Sequence, residues 1–329
     1  MRRRPSRLTA VLAAALVVSA GIACTEPEPP DAPPPPAPMP EPAPIMTTRT
    51  TVVLPALSGP DDPLAAELRR GLDAAGRDRD TEVEVVQADD EAFVADLVGL
   101  FAARDRDLIC TVGPGSRAVV TEAAERHPGR RFCALGAPAP TELPASFSVV
   151  EVRTEELGHL IGAALAGQQP VGAVLEAGRP GVDRFRQGLL AGLGDTPVVD
   201  ATVGAGHPVD DAVAEVLAAG VGTVVLDVGS GAATAAVAAA AQAEVVGPGW
   251  LPDRGGPPEL LLSWQVRWDA VLGPVLDDLL ADEPGTSRSL GLEDEVFELT
   301  VASGAPSELR ERLAQAEAEL LAGERDARG

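Results

Sequence analysis

The sequence contains no lysine, no asparagine and no tyrosine, so all 26 of its basic residues are arginine. Those absences exclude a lysine Schiff base, an asparagine amide and a phenol from any site chemistry. Only three histidines occur, His127, His159 and His207, and none has the HxxxH or HExxH spacing of a metal site. After Cys24 only Cys110 and Cys133 remain. No CxxC zinc or redox site can be built from them, while a disulfide and a pair of buried thiols both stay open in an exported protein. No GxSxG elbow, Walker loop or GxGxxG between a strand and a helix is present. With no nucleophile and base to name, the expectation is a non-enzyme without metal or cofactor. Positive charge is scarce as well: the net charge is −24. Such a chain repels nucleic acid and anionic head groups, so neither is an expected partner.

What is present begins at the N-terminus. The cationic "MRRRPSR" precedes an apolar run, Leu8–Ala23, that is short and rich in Ala and Gly. A membrane span needs about 20 apolar residues, whereas a charged start, a short apolar core and small residues read as a secretory signal over residues 1–23. Small residues before Cys24 resemble the bacterial lipobox, with Gly21 standing where that motif usually has Leu. The resemblance implies that Cys24 carries lipid, palmitate among the acyl groups, and becomes the mature N-terminus. Residues 24–48 are proline-packed and hold almost nothing that could form a core, which predicts an extended tether at roughly 3.1 Å per residue. The expected location is the extracytoplasmic face of the cell membrane. Loss of the four signal arginines takes the net charge from −24 to −28.

The remaining stretch, about 280 residues, is long enough for a sizeable core. From Thr50 onward short β-branched runs alternate with amphipathic stretches, the pattern of parallel sheets with crossover helices. "TTVVLPAL", "TEVEVVQAD", "DLICTVG", "RRFCALG" and "SFSVVEV" predict a first series of strands. The series restarts with the helix "TEELGHLIGAALAG", Thr154 its expected N-cap, followed by the strands "PVGAVLEAG", "PVVDATVG", "VGTVVLDVG", "AEVVGPGW" and "ELLLSW". A helix near Asp269–Leu280, a strand at "EVFELTVAS" and a helix at "PSELRERLAQAEAELLAG" follow. The reading is α/β, a two-lobed fold of parallel sheets flanked by helices. Lobe 1 is expected over 49–150 and about 265–329, and lobe 2 over 151–264, with the last helix packing on the first lobe. Ligands of such sheets sit off the carboxyl ends of the strands, so two facing lobes predict a cleft that closes by a hinge.

The order of motifs resembles the basic-membrane-protein family, the nucleoside-binding lipoproteins of ABC importers, which have the type I periplasmic-binding-protein-like fold. The likeness is carried by "DLICTVGPGSRAVVTEAAERHPGRRFCALGAPAPTELPASFSVVEVRTEELGHLIGAALAG" and by "VGAVLEAGRPGVDRFRQGLLAGL", where Gly178, Phe185 and Gly188 fall on the family's Gly and "F…GF". Gly229 and Gly231 match a Gly-rich turn before an alanine-rich helix. The departures fall at the ligand. Asp61 keeps the first loop's acid, but Leu64 and Ala65 replace its Phe and Asn, and Gly136 replaces an Asp. An acidic pair is gone near Trp250, with Asp253 as a stand-in, and Val266 replaces a Lys that has Arg267 beside it.

Five residues are therefore expected at the ligand: Asp61, Phe185, Asp227, Trp250 and Arg267. Each has a plainer reading. One of Asp61 and Asp62 caps the helix that starts at Pro63; Phe185 packs the core; Asp227 caps a turn; Arg267 pairs with the acidic surface. All three tryptophans lie between Trp250 and Trp268, either a stacking wall or, for Trp264 and Trp268, one apolar helix face. The resemblance implies a small-molecule solute, nucleoside-like as the first expectation, and an ABC permease as partner. The alternative keeps the fold but gives the lipoprotein a signalling or envelope-interaction role without a transport ligand.

Overall fold

The computed structural model describes residues 48–323 and 327, apart from 56, 58–61, 114, 140–141, 168–169, 180, 205 and 252–259. Cys24 with its signal and tether, Asp61 and Asp253 lie outside the described residues. The chain runs β1 (Arg49–Leu54), α1 (Pro63–Arg77), β2 (Glu82–Gln87), α2 (Glu91–Ala102), β3 (Leu108–Val112), α3 (Ser116–Arg126), β4 (Arg131–Leu135) and β5 (Phe147–Val152). It continues through α4 (Thr154–Leu165), β6 (Val171–Glu176), α5 (Val182–Leu193), β7 (Val198–Val203), α6 (Val209–Ala218), β8 (Thr223–Asp227), α7 (Ser230–Ala239), β9 (Glu244–Pro248) and β10 (Leu262–Val266). Last come α8 (Trp268–Leu280), β11 (Ser287–Leu290), a 3-10 turn at Leu292–Asp294, β12 (Phe297–Val301) and α9 (Ser307–Leu321). Among the described residues no helix is long and apolar enough to cross a membrane.

The strands form two six-stranded sheets, ordered β11-β5-β4-β3-β1-β2 and β12-β10-β9-β8-β6-β7. Central strands are apolar on both faces because helices cover both sides of a parallel sheet. Val52–Leu54, Leu108–Cys110 and Phe132–Leu135 are accordingly fully or almost fully buried. Cys110 and Cys133 stand opposite each other in the β3–β4 register, with Cα atoms 4.4 Å apart, and are joined by a disulfide. Of the two pairings the sequence left open, the structure has the bonded one.

The end of the chain departs from the sequence expectation. α8 packs on α1 and β11 pairs with β5, so both belong to the first lobe. β12, however, runs antiparallel to β10 in the second sheet, with Trp264 opposite Leu299. α9 packs on α4, and the Arg312 guanidinium donates to the Ala164 carbonyl at 3.0 Å. The C-terminal strand and helix therefore belong to lobe 2. The chain thus passes between lobes three times, at 153, 267 and 291–296. β11, "SRSL", is a short polar strand at a sheet edge and carries no β-branched run to announce it. Trp264 and Trp268 do not share a helix face, because β10 ends between them.

In lobe 2, α4 and α5 approach until backbone meets backbone. A Cβ at Gly188 would overlap the Glu155 carbonyl, and one at Gly158 the Phe185 carbonyl. In α2, by contrast, a Cβ at Gly99 meets nothing within 4 Å. Gly188→Ala is expected to lower stability by about 1–3 kcal/mol through overpacking. Gly99→Ala is expected to raise it by roughly 1 kcal/mol, the gain in helix propensity. Thermal melts of the two variants, moving in opposite directions, check the contact.

Candidate functional site

The carboxyl ends of both sheets face one cavity of about 340 Å³. From lobe 1 it is lined by Pro55 and Leu57 after β1, Val112 and Gly113 at the end of β3, Gly136 after β4, and Leu64, Glu67 and Leu68 of α1. From lobe 2 come Glu176 at the end of β6, Asp227 at the end of β8, and Arg179, Phe185, Ser230, Pro248 and Trp250. Trp264, Gln265, Val266 and Trp268, along the second crossover, close one side. The placement follows from the topology, because each β-to-α turn of a parallel sheet opens at the carboxyl end. The volume falls within the range of small-molecule sites.

The walls are aromatic. Phe185 and Trp264 stack at 5.5 Å between centroids, tilted by 33°. The Arg179 guanidinium lies 5.9 Å from the Trp250 ring centroid, within reach of its electron-rich face.

Three charged groups of lobe 2, Arg179, Asp227 and Glu176, have partners within that lobe. Arg179 meets Asp227 at 2.9 Å. Burial pushes the Asp227 carboxyl up, against the pull of Arg179 and with the help of Glu176. Glu176 accepts from the backbone N–H of Gly229. Thr154 does not cap α4; it is its first residue, and its hydroxyl donates to the Gly181 carbonyl at 2.9 Å, tying α4 to the β6–α5 turn.

Lobe 1 contributes an acid of a different kind. Glu67, on α1, is only 8% exposed, and its Oε2 has no hydrogen-bond partner among the described residues. Burial raises its pKa to about 7, opposed by the Arg70 charge and by the Val266 backbone N–H. The indole Nε1 of Trp268 is likewise buried and unpartnered. A side-chain hydrogen bond also joins the two lobes. Asp62 caps α1 by accepting from Leu64 N at 2.9 Å and Ala65 N at 3.2 Å, and its second oxygen accepts from the Ser230 hydroxyl at the start of α7.

Of the five expected ligand residues, Phe185, Asp227 and Trp250 line the cavity. Asp61 lies outside the described residues, and its neighbour Asp62 is the helix cap. Arg267 is not brought to the cavity. Its guanidinium pairs with Asp269 at 2.8 Å and Glu295 at 3.4 Å, and the hydrogen bond and charge of Asp269 hold its pKa above the ordinary value. The sequence reading did not find Glu67, Glu176, Arg179 or Gln265. For Glu67 a signal existed, since it lies on the stripe that carries Leu64 and Leu68 rather than on the solvent side of α1.

Glu67 has a higher pKa folded than unfolded, so ionising it opposes folding. Its cost is absent below the ordinary value of 4.5, grows as pH rises, and is complete above about 7. Glu67→Gln removes that cost. The variant is expected to match the parent near the acid end and to exceed it by on the order of 3 kcal/mol above neutrality. Denaturant melts of both proteins at about pH 5 and about pH 8 check the divergence.

No family model matches the sequence, and no curated protein matches it. Solved structures do. An ABC transporter solute-binding protein from Aeropyrum pernix K1 is 19% identical, with 84% of this chain and 92% of that chain covered at a TM-score of 0.68. One from Conexibacter woesei DSM 14684 is 20% identical, with 85% and 98% covered and a TM-score of 0.65. A transcriptional activator of the comK gene from Bacillus halodurans is 16% identical, with 84% and 99% covered and a TM-score of 0.64. The chain therefore has the periplasmic-binding-protein-like fold of these solute-binding proteins, two mostly parallel sheets flanked by helices around a cleft.

Proposed function

We propose that this chain is an exported, lipid-anchored binding protein that captures a small solute in the interlobe cleft and hands it to an ABC permease. The observation that carries the reading is the cavity itself. It is walled by aromatic rings, lies off the carboxyl ends of two sheets, and is bounded by lobes connected through three crossovers that can act as a hinge. Closure by the solute requires that it bind the closed arrangement better than the open one. Contacts to both Glu67 on lobe 1 and Trp250 on lobe 2 would supply that difference.

The nucleoside-like solute implied by the sequence resemblance finds a stacking wall here, and nucleosides belong in any test panel. The acid, amide and lysine that the resemblance would bring to such a ligand are altered at Gly136, Ala65 and Val266. The likeness in fold to a transcriptional activator favours the second reading, a signalling lipoprotein whose cleft state is read by another envelope protein.

Tryptophan fluorescence separates the two readings. Trp250 and Trp264 are buried around the cavity, so a captured solute is expected to change emission saturably in the micromolar range or tighter. Trp250→Phe is expected to weaken both the signal and the affinity. A folded, monomeric protein that gives no response to nucleosides, sugars, amino acids or organic cations would count against solute capture.

The anchor is tested apart from the cleft. The full chain expressed in a bacterial host is expected to fractionate with membranes and to carry acyl groups on Cys24 by mass spectrometry. Cys24→Ser is expected to move to the soluble exported fraction with its cleft unchanged.

A further inference from the structure

The described cavity lining carries three carboxylates, Glu67, Glu176 and Asp227, against one cation, Arg179. That cation is already committed to Asp227 and to the Trp250 face. Glu176 is occupied by the Gly229 N–H. Glu67, more than nine-tenths buried, takes the Val266 N–H but keeps one oxygen without a partner among the described residues, and it lines the cavity with Trp268 and Leu64. An unpaired buried carboxylate is costly, and a positive charge placed against it removes most of the cost. Among the described residues no guanidinium lies over three rings of the lining, Phe185, Trp264 and Trp268, and an electron-rich ring face attracts a cation.

A metal ion is the poorer fit. No group of three or more His, Cys, Asp or Glu among the described residues is placed to hold one, and two of the three lining carboxylates, Asp227 and Glu176, already have partners. The rings suit a cation that hides its charge in an organic body. The buried Trp268 N–H, unpartnered, would donate to an acceptor on the same molecule.

Resting on the receptor reading above, we infer that the cleft selects an organic cation, an ammonium or cationic heterocycle with a compact apolar body, whose charge is held by Glu67 and whose body is held by Phe185, Trp264 and Trp268. The charge then meets the one lining acid that keeps an oxygen unpartnered among the described residues. Gln265, also in the lining, adds no charge of its own to compete with a ligand for Glu67.

Matched pairs of probes test this by calorimetry on the purified protein. The pairs are choline against its uncharged carbon isostere dimethylbutanol, and ring-N-methylated nicotinamide against nicotinamide. Each cation is expected to bind at least about tenfold more tightly than its uncharged partner. Glu67→Gln is expected to collapse that preference, read as the ratio of the two affinities within each pair. Because the variant alters a buried site, Gln265→Lys serves as a second test. It adds a positive charge to the lining without touching Glu67, and is expected to abolish cation binding only. Uncharged probes that bind as well as the cations, or a preference that survives both variants, overturn the assignment. If nucleosides or sugars bind while cations do not, the inference fails and the receptor reading stands. If nothing in the panel binds the folded protein, both fall.

Discussion

Three chain crossovers held side by side decide where every cleft residue sits. The third, between β11 and β12, is the shared neighbour of the other two. It accepts from Arg153 N through Leu290 O and from Arg267 N through Val296 O, each at 2.8 Å. The arginine side chains repeat the pattern. Arg153 reaches Glu156 at 2.6 Å and Glu293 at 3.0 Å, and Arg267 reaches Asp269 and Glu295. The Glu295 side chain is 83% exposed, so its pair contributes little. The Arg153–Glu156 pair is mostly buried, and Glu156 also accepts from Leu292 N at 2.7 Å, which fixes the 3-10 turn against α4. Backbone bonds and a half-buried ion network thus make three crossovers into one strap. Two lobes on such a strap have a single easy motion, the opening and closing of the face on which the strands end.

That geometry explains an asymmetry in the charges. On lobe 2, the acids at the ends of β6 and β8 have partners within their own lobe, Gly229 N–H and Arg179, before anything fills the cleft. On lobe 1, Glu67 sits in the middle of α1, where the helix's own amides are already bonded and cannot serve it. Its environment is completed only by the other lobe, by the Val266 backbone, and by whatever occupies the cavity.

The fold was largely legible because a parallel strand covered on both faces must be apolar throughout, and such runs stand out between amphipathic helices. Asp227 and Trp250 were legible for the same reason, since a polar or aromatic residue ending an apolar strand falls at the carboxyl edge. Arg267 misled through adjacency. Val266 lines the cavity, and the next residue along an extended crossover points away from it. β11 and the lobe assignment of β12 were not legible, because both depend on which edge strand a short polar segment pairs with, and that is set by distant residues such as Leu262–Val266. The disulfide was undecided from sequence because β3 and β4 had to be not only neighbours but in the register that places Cys110 against Cys133. Glu67 was passed over because an acid in an amphipathic helix is usually solvated; only its place between Leu64 and Leu68 distinguishes it.

The unmatched acid and the cross-cleft bond pull on closure in opposite senses. Ser230 donating to the Asp62 carboxylate favours the lobes together, by about 1.5–3 kcal/mol for a hydrogen bond to a charged group, and Leu64 packs against the cores of both lobes. If these contacts acted alone, an empty cleft would stay shut and capture would be slow. Glu67 supplies the counterweight, because closing the empty cleft strips its carboxyl of water and returns only the Val266 N–H. A solute that meets Glu67 removes that penalty only in the closed state, which is the differential affinity a hinge requires; a shift from mostly open to mostly closed takes about 5.5 kcal/mol. A ligand that packs the rings but leaves Glu67 unmet gains stacking and keeps the penalty. The residue that destabilises the empty cleft is thus the one that makes closure report on the chemistry of what has entered.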